Sequence, residues 1–362
     1  MGNLEKEQLT IGFVPLTDSA PLVIAKSQGF FAEQGLQVRL EKQNSWATLR
    51  DKLHEGVLDA AQMLAPMPLA SSMGLGCYPT PIITPFVLSL NGNAITLSDA
   101  LYQEVLQASE LDDVALPLNA SLLRAVIEQR KSANKARIRF ANVFPYSCHH
   151  YQLLDWLKSG GISSDEVDIL TVPPVNMVGF LETGEIDAFC VGGPWNAKAV
   201  RSGIGLTALT SFDIWENMPE KVLGVSKAFS ESNPETVKAL CCAVERACHW
   251  LEATPNRFEA ARFLSSSDYL DAPLDVIAPS LIGSCLTHRD AAPRHVELYN
   301  QFYSRPGQHV NKPFVASGAW LLDKMLAAGQ VPESVKSSIV VADIFREDLY
   351  DHISSSFVRA SF

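Results

Sequence analysis

The sequence lacks the features typical of membrane-spanning or disulfide-bonded secreted proteins. No apolar run approaches the roughly 18 residues that cross a bilayer. The seven cysteines are an odd number and form no Cys-x-x-Cys pair, and the eight histidines have no recognisable zinc spacing. We therefore expect no membrane span, no disulfide framework and no metal.

Positive charge is also scarce, and this limits the kinds of partner that the chain can bind. The 29 lysines and arginines are outnumbered by 40 aspartates and glutamates, which leaves a formal net charge of −11. Nucleic-acid binding needs a basic face, so we expect no direct contact with nucleic acid. Neither GxGxxG nor GxxxxGK occurs, so a nucleotide-phosphate loop is not expected either.

Signatures of catalysis are missing as well. No GxSxG occurs and no carboxylate pair recurs at acid–base spacing. Cys148 and His149 are neighbours on a predicted helix, where adjacent side chains point about 100° apart and do not hydrogen-bond each other. We therefore expect a protein that is not an enzyme and that needs no cofactor.

The first ten residues are polar and contain neither a hydrophobic core nor a small-residue cleavage site. A secretory leader needs both, so we expect none and predict a cytoplasmic location. Removal of a leader from the sequence remains the open alternative.

An internal repeat is the main positive signal. Gly56-Val57-Leu58-Asp59-Ala60, followed by Pro66, returns as Gly184-Glu185-Ile186-Asp187-Ala188, followed by Pro194. A strand, a helix, a second strand and a second helix are predicted before each copy. Two such βαβαβ units predict an α/β protein of two lobes around a central ligand cleft.

The remaining pattern sets the expected boundaries of the two lobes. We predict that residues 1–104 and 216–362 form a discontinuous first lobe, which includes a C-terminal helical extension. Residues 105–215 are predicted to form the second lobe. A return strand is expected over 221–225, and the 3.6-residue apolar spacing over 234–264 predicts one helical segment.

Polar residues cluster where the predicted strands end, the usual ligand position in open α/β sheets. They are Asp18-Ser19, Ser45-Trp46, Gln62, Asn91-Gly92-Asn93, Ser147-Cys148-His149-His150, Gly192-Gly193-Pro194-Trp195-Asn196 and Glu220-Lys221.

Each of these candidates has a purely structural alternative. Trp46 either packs in the core or presents its indole N–H at a helix start. His149 lies in a predicted first helical turn, where it can donate to an anion, whereas His150 is expected to be solvated. Lys221 is either a surface lysine or a cation near a lobe crossing. Gly192-Gly193 allows a ligand to approach backbone N–H groups but also suits an ordinary turn.

Several stretches of the chain resemble nitrate-binding proteins of ABC transporters. The resemblance covers most of residues 9–265. It is carried by Ile11-Gly12-Phe13-Val14-Pro15-Leu16, Gly29-Phe30-Phe31, Ser45-Trp46, Met63-Leu64-Ala65-Pro66, Leu90-Asn91-Gly92, Phe144-Pro145 with His149, Asp187-Ala188-Phe189-Cys190-Val191-Gly192, Pro194-Trp195-Asn196 and Pro219-Glu220-Lys221.

The resemblance implies a periplasmic-binding-protein type II fold with nitrate or nitrite held between the lobes. It places the family's anion contacts on Trp46, His149, Lys221 and a backbone group at Gly192 or Gly193. The family's glutamine contact corresponds to Asn93, and a family glutamate corresponds to Gly193. These two departures leave the preference among nitrate, nitrite and bicarbonate open.

A leaderless branch of this family consists of cytoplasmic nitrate/nitrite sensors. The resemblance to that branch implies a protein that sequesters an ANTAR-domain, RNA-binding antiterminator and releases it when the anion binds. The alternative is the solute-binding component of a nitrate or bicarbonate ABC transporter whose leader has been removed. An enzymatic branch that makes thiamine precursors uses a cysteine-rich motif that is absent here, and a purely structural role leaves the polar candidates unexplained.

Overall fold

A computed structural model describes residues 3–304, 308–336 and 339–357. The chain divides into two units. Among the described residues, the first unit comprises the chain up to Leu90, Met218–Asp271 and the part from Gln301 onward, and the second comprises Asn91–Asn217 and Ala272–Asn300. No described helix combines the length and apolar character needed to cross a membrane.

The strands of the described residues form two larger sheets and one two-stranded ribbon. In chain order they are β1 Gln8–Phe13, β2 Gln37–Lys42, β3 Ala60–Leu64, β4 Ile82–Asn91, β5 Asn93–Ser98, β6 Arg139–Asn142, β7 Asp168–Thr171, β8 Ala188–Gly192, β9 Gly205–Thr210, β10 Pro219–Ser226, β11 Ser284–Cys285, β12 Arg294–His295 and β13 Asn300–Gln301.

Helices connect most of these strands. They are α1 Ala20–Ser27, α2 Phe30–Glu33, α3 Trp46–His54, α4 Met67–Met73, α5 Asp99–Ser109, α6 Leu122–Ser132, α7 Cys148–Ser159, α8 Met177–Glu182, α9 Trp195–Arg201, α10 Ser211–Trp215, α11 Lys227–Ser232, α12 Pro234–Trp250, α13 Thr254–Leu264, α14 Leu274–Leu281, α15 Val315–Ala327, α16 Glu333–Lys336 and α17 Glu347–Ser354. Short 3-10 turns lie at Thr17–Ser19, Ser164–Glu166, Pro174–Asn176 and Val341–Asp343.

The two sheets share one local arrangement, which confirms the predicted repeat. The first has the order β13-β4-β10-β3-β1-β2, and β1 runs parallel to both β2 and β3. The second has the order β7-β6-β8-β5-β9, and β6 runs parallel to both β7 and β8. In each sheet an antiparallel strand follows, β10 beside β3 and β5 beside β8.

The repeated aspartate has the same structural role in both copies. The Asp59 carboxylate accepts from the Thr10 backbone N–H at 2.9 Å, and the Asp187 carboxylate accepts from the Arg139 backbone N–H at 2.8 Å. Each aspartate N–H donates back to the carbonyl of the same partner residue. The pair of bonds holds the start of one parallel strand against its neighbour, because it satisfies backbone groups that lie beyond the regular ladder.

The backbone also explains the repeated glycine three residues before each aspartate. Gly56 and Gly184 have φ values of 69° and 70°, in the left-handed region that disfavours residues with a Cβ. Both follow a helix, so the glycine ends the helix and turns the chain into the next strand.

The unit boundaries differ from those expected from the sequence. The second unit begins at residue 91 instead of 105, because β5 pairs with β8 and β9 in the second sheet. Residues 272–300 belong to the second unit, where α14 packs against α9. These pairings join segments that are far apart in the chain, so no local sequence pattern predicts them.

The long helical segment expected over 234–264 is two helices, α12 and α13, with a break before Thr254. Ala253 has extended backbone angles and Pro255 lies in the first turn of α13. A proline has no N–H for the carbonyl four residues earlier, and its ring clashes with that carbonyl, so α12 ends before Pro255 and a new helix starts with the proline in its first turn. The return strand expected over 221–225 is confirmed as β10.

Candidate functional site

In the first unit, the structure brings together Trp46 and Lys221. Trp46 is the first residue of α3, which begins after Ser45, whose hydroxyl accepts from the Thr48 N–H at 3.1 Å. Lys221 lies in β10, opposite Leu64 of β3. Its Nζ lies 5.7 Å from the centroid of the Trp46 ring, within the range of a cation–π contact.

Lys221 is a buried cation, so its interpretation as a surface lysine is wrong. Its side chain is fully buried, and its Nζ lies 2.8 Å from Asp18 Oδ2 and 3.0 Å from Glu220 Oε1. Burial by itself disfavours the ammonium, but the two carboxylates outweigh that effect and raise the pKa of Lys221 above its ordinary value. Lys221 is therefore held charged, and two carboxylates compensate that charge.

A glutamine fixes the geometry of this ion cluster. Gln62 in β3 donates to Asp18 Oδ1 at 2.7 Å and accepts from the Val14 N–H at 3.2 Å. Asp18 lies in the 3-10 turn Thr17–Ser19 that precedes α1. The sequence places Asp18, Gln62 and Glu220 at strand ends, but it does not reveal that two of them neutralise Lys221.

Trp46 also has a polar atom that no described residue bonds. Its side chain is 1% exposed, and within the described ranges its indole Nε1 has no hydrogen-bond partner. Most buried donors in folded proteins are satisfied, so a buried indole N–H without an acceptor is unusual. It favours a ligand-binding role for Trp46 over core packing alone.

In the second unit, Asn93, Gly192 and the helix that carries His149 lie together. Asn93 opens β5 and faces Gly192, the last residue of β8, in antiparallel register. His149 is fully buried in the first turn of α7, which begins after Ser147. Gln152 follows three positions later, on the same side of α7. Gln152 accepts from the Asn93 side-chain amide at 3.0 Å.

The turn after β8 contains the remaining predicted residue, Gly193, which precedes Pro194 and the first residue of α9, Trp195. Asn196 is not available to a ligand in the same way, because its amide donates to the Val191 carbonyl at 2.8 Å and its carbonyl oxygen accepts from Thr96 at 2.8 Å. Asn196 therefore ties the turn to the sheet.

Of the two neighbouring histidines, His150 is the more exposed, as expected, because His149 is fully buried. His150 is half-buried, and Asn142 Nδ2 lies 3.0 Å from its Nδ1. Burial lowers the pKa of His150 to about 4, so the ring is neutral at physiological pH.

The structure thus assembles two groups of predicted residues, Trp46 with Lys221 and Asn93 with Gly192 and the His149 helix. That the two groups converge on one pocket stays a prediction. The sequence analysis missed Gln152, although its spacing of three from His149 on a predicted helix was a usable signal. In the part of the chain that the structure describes, no group of three or more His, Cys, Asp or Glu side chains could hold a metal ion.

Comparison with known proteins identifies the family. The model of the NMT1-like family matches residues 2–265 of this chain. The chain belongs to the NMT1-like family. Its periplasmic-binding-protein fold, expected from the sequence, is confirmed by the crystal structure of the periplasmic nitrate-binding protein NrtA from Synechocystis PCC 6803, with a TM-score of 0.88 and 28% identity over 98% of this chain and 90% of that one.

Proteins similar in sequence to this chain include anion-binding proteins and ATP-binding proteins of transporters. The nitrate/nitrite binding protein NrtA of Synechococcus elongatus is 30% identical over 98% of this chain and 79% of its own length. The nitrate import ATP-binding protein NrtC of Synechocystis is 36% identical over 96% of this chain but only 50% of its own length. The bicarbonate transport ATP-binding protein CmpC of Synechococcus elongatus is 38% identical over 91% of this chain and 46% of its own length. The chain therefore spans about half the length of these ATP-binding relatives.

Proposed function

We propose that this member of the NMT1-like family is a cytoplasmic nitrate/nitrite sensor that sequesters an RNA-binding ANTAR-domain antiterminator and releases it when the anion binds. The proposal includes no catalytic step and no cofactor. Its ligand class is supported by the similarity to the nitrate/nitrite binding protein NrtA and by the donors of the two groups described above.

The observation that carries the ligand class is the buried indole N–H of Trp46, without a hydrogen-bond partner among the described residues, beside the Lys221 ammonium. Nitrate is a planar monoanion with three equivalent weak acceptors, so its recognition needs donors around its edge and a nearby cation. Trp46 and Lys221 supply one neutral and one charged donor from the first unit.

The second unit contributes groups of the same kind. We propose that His149 and a backbone group at Gly192 or Gly193 donate to the anion, with Asn93 as a further polar contact. Backbone N–H groups and a helix start suit an anion without adding a mobile side chain. This second group contains no carboxylate, so it brings no negative charge close to the anion.

The expected affinity is modest. A ceiling of about −1.5 kcal/mol per heavy atom allows roughly −6 kcal/mol for a four-atom ion, a Kd on the order of tens of micromolar. Compensation of Lys221 by Asp18 and Glu220 further limits how much of its charge reaches the ligand.

Isothermal titration calorimetry with nitrate, nitrite, bicarbonate and chloride at constant ionic strength tests the ligand. We expect saturable binding of nitrate or nitrite and no measurable binding of chloride, because a spherical ion cannot satisfy donors arranged around a planar one. Absence of binding by both nitrate and nitrite overturns the proposal.

The signalling output requires the anion and the antiterminator to bind with opposite preferences. A ligand shifts a conformational equilibrium only by its differential affinity for the two states, and the coupling is reciprocal. We therefore expect the antiterminator to lower nitrate affinity by the same factor by which nitrate lowers antiterminator affinity.

Analytical ultracentrifugation of the two proteins, with and without millimolar nitrate, measures this coupling. Dissociation of the complex on addition of nitrate, but not of chloride, supports a sensor. A complex that persists unchanged at saturating nitrate and nitrite overturns the sensor role and leaves anion binding intact.

The similarity to NrtC and CmpC favours a second candidate, the solute-binding component of a nitrate or bicarbonate ABC transporter. The two candidates predict different partners. Anion-dependent capture of transporter subunits, with no affinity for an antiterminator, supports the transport component.

A further inference from the structure

The side-chain amide of Asn93 is held in one orientation by a neighbour that is not among the predicted ligand contacts. Asn93 is fully buried, and its Nδ2 donates to Gln152 Oε1 at 3.0 Å. Its backbone N–H donates to the Ser211 hydroxyl at 3.2 Å. Over residues 3–304, 308–336 and 339–357, the Asn93 Oδ1 atom has no hydrogen-bond partner. The amide therefore uses its nitrogen within the second unit, and none of the described residues uses its oxygen.

A thiol behind Gln152 supports this orientation. The Cys190 Sγ lies 3.7 Å from Gln152 Oε1, the oxygen that also accepts from Asn93. In this contact the thiol is the weak donor, which matches the Gln152 oxygen on that side. Cys190 and Gln152 are both buried, at 1% and 2% exposure, so water does not compete for these contacts.

The orientation matters because the candidate oxyanions differ in their hydrogen-bonding groups. Nitrate and nitrite have acceptors only, whereas hydrogencarbonate has the same planar shape and also an O–H donor. An Asn93 that presents Oδ1 can accept from hydrogencarbonate, but it places an oxygen lone pair against nitrate. Nitrate gains a donor at this position only when the amides of Asn93 and Gln152 both reverse, and that reversal loses the Cys190 contact.

We infer that Gln152 is a positioning residue for anion specificity: by holding the amide nitrogen of Asn93, it raises the affinity for hydrogencarbonate relative to nitrate. The inference rests on the proposed binding of a planar oxyanion with Asn93 as a contact. It assigns the choice among these anions to a residue that does not itself touch the ligand.

The test compares the full-length wild type with Gln152→Met by calorimetric titration of nitrate and hydrogencarbonate at slightly alkaline pH. Methionine keeps the length of glutamine but offers only a weak thioether acceptor, so the Asn93 amide is released and can turn its N–H groups to the ligand. We expect the ratio of nitrate affinity to hydrogencarbonate affinity to rise about tenfold, since an unmatched buried polar contact costs roughly that factor.

Gln301→Met is the matched control. Gln301 is also a buried glutamine, and its Nε2 donates to Gln308 at 2.6 Å in the first unit. The same chemical change there should leave the affinity ratio at the wild-type value. Cys190→Ala is a second test variant, which removes only the contact behind Gln152 and should shift the ratio in the same direction by a smaller factor.

The outcomes separate this inference from the function on which it rests. A wild type that binds neither anion overturns both. A wild type that binds, together with folded Gln152→Met and Cys190→Ala variants of unchanged affinity ratio, overturns the role of Gln152 alone. If Gln152→Met does not fold, as shown by the lack of a cooperative melting transition, Cys190→Ala provides the test. An unchanged ratio of nitrate affinity to hydrogencarbonate affinity in that variant then overturns the role of Gln152.

Discussion

At the scale of single residues, the most consequential side chain is Lys221, because its environment couples anion binding to stability. Its ammonium contacts two carboxylates, Asp18 and Glu220, and all three side chains are 1% exposed or less. Breaking a buried ion cluster by removing the cation leaves carboxylates in a region that water does not reach, and such a loss is strongly destabilising.

We predict that Lys221→Met lowers the free energy of unfolding by about 3–5 kcal/mol, measured by urea denaturation. Lys52→Met is the control, since the Lys52 Nζ–Glu41 pair at 2.7 Å is partly solvent-exposed and should contribute about 0–1 kcal/mol. The double variant Lys221→Met/Glu220→Gln should recover part of the loss, because one of the two buried carboxylates is then neutral. Equal stability of Lys221→Met and wild type would contradict the predicted cost of removing the cation.

The charge of Lys221 also predicts which substitution weakens anion binding most. Lys221→Ala should weaken nitrate binding more than Trp46→Ala or His149→Ala, when the three variants are compared under conditions in which circular dichroism shows all of them to be folded. Lysine provides a charged hydrogen bond, worth roughly 1.5–3 kcal/mol, whereas the indole donor is neutral. Calorimetry at low salt measures the three affinities, and wild-type affinity in a folded Lys221→Ala removes lysine from the site.

His150 should make folding sensitive to mild acid. Its pKa is about 4 in the folded chain, against roughly 6.5 when unfolded, so the unfolded chain takes up the proton first as the pH falls. The stability associated with the neutral ring is present above about pH 6.5 and is lost towards pH 4. Between pH 7 and pH 5, the wild type should lose about 1–2 kcal/mol more than His150→Gln does. Parallel urea-denaturation curves of the two proteins across this range would contradict the burial of His150.

At the scale of elements, helix α12 places an acid in the interior of the first unit. Glu245 is 5% exposed, and α12 packs against α1, α2 and α17. Burial raises the pKa of Glu245 to about 7, while a hydrogen bond from Tyr303 acts in the opposite direction. Burial also raises the pKa of Tyr303, to about 12, and of Cys248, well above its ordinary value, so neither group titrates near neutrality.

The raised pKa of Glu245 predicts a pH dependence with the opposite sign to that of His150. The protonated acid is favoured in the fold, so its stabilising contribution is largest below about pH 4.5 and declines as the pH rises towards 7. Glu245→Gln mimics the protonated form. Relative to wild type, this variant should therefore become more stable by about 2 kcal/mol between pH 5 and pH 8, measured by chemical denaturation. A constant difference across that range contradicts the shift.

At the scale of the whole molecule, the proposed ligand should stabilise the folded chain. A ligand that binds only the native state, at a concentration of about one hundred times its Kd, adds about 2.7 kcal/mol to the free energy of unfolding. We predict that nitrate at this excess raises the melting temperature, whereas chloride at the same ionic strength does not. Equal melting curves in the two salts contradict specific binding, and Lys221→Ala should lose the difference.

Much of the architecture could be predicted from the sequence because it arises from local patterns. The repeated glycine and aspartate, Gly56 with Asp59 and Gly184 with Asp187, mark the same helix end and the same strand-to-strand tie in both sheets. Short apolar strands alternating with helices predict parallel βαβ units, since a parallel connection needs a crossover. The sequence alone therefore identifies the residues at the strand ends.

Tertiary structure alone decided the features that depend on pairing between distant segments. β5 belongs to the second sheet because Asn93–Ser98 pairs with β8 and β9, about a hundred residues away along the chain. The contacts of Lys221 with Asp18 and of Asn93 with Gln152 arise in the same way. Hydrophobic periodicity specifies which side of a strand or helix is buried, but it does not specify which distant polar group lies opposite. The sequence therefore determined the elements and the candidate residues, whereas the fold decided the charge around Lys221 and the orientation of the Asn93 amide.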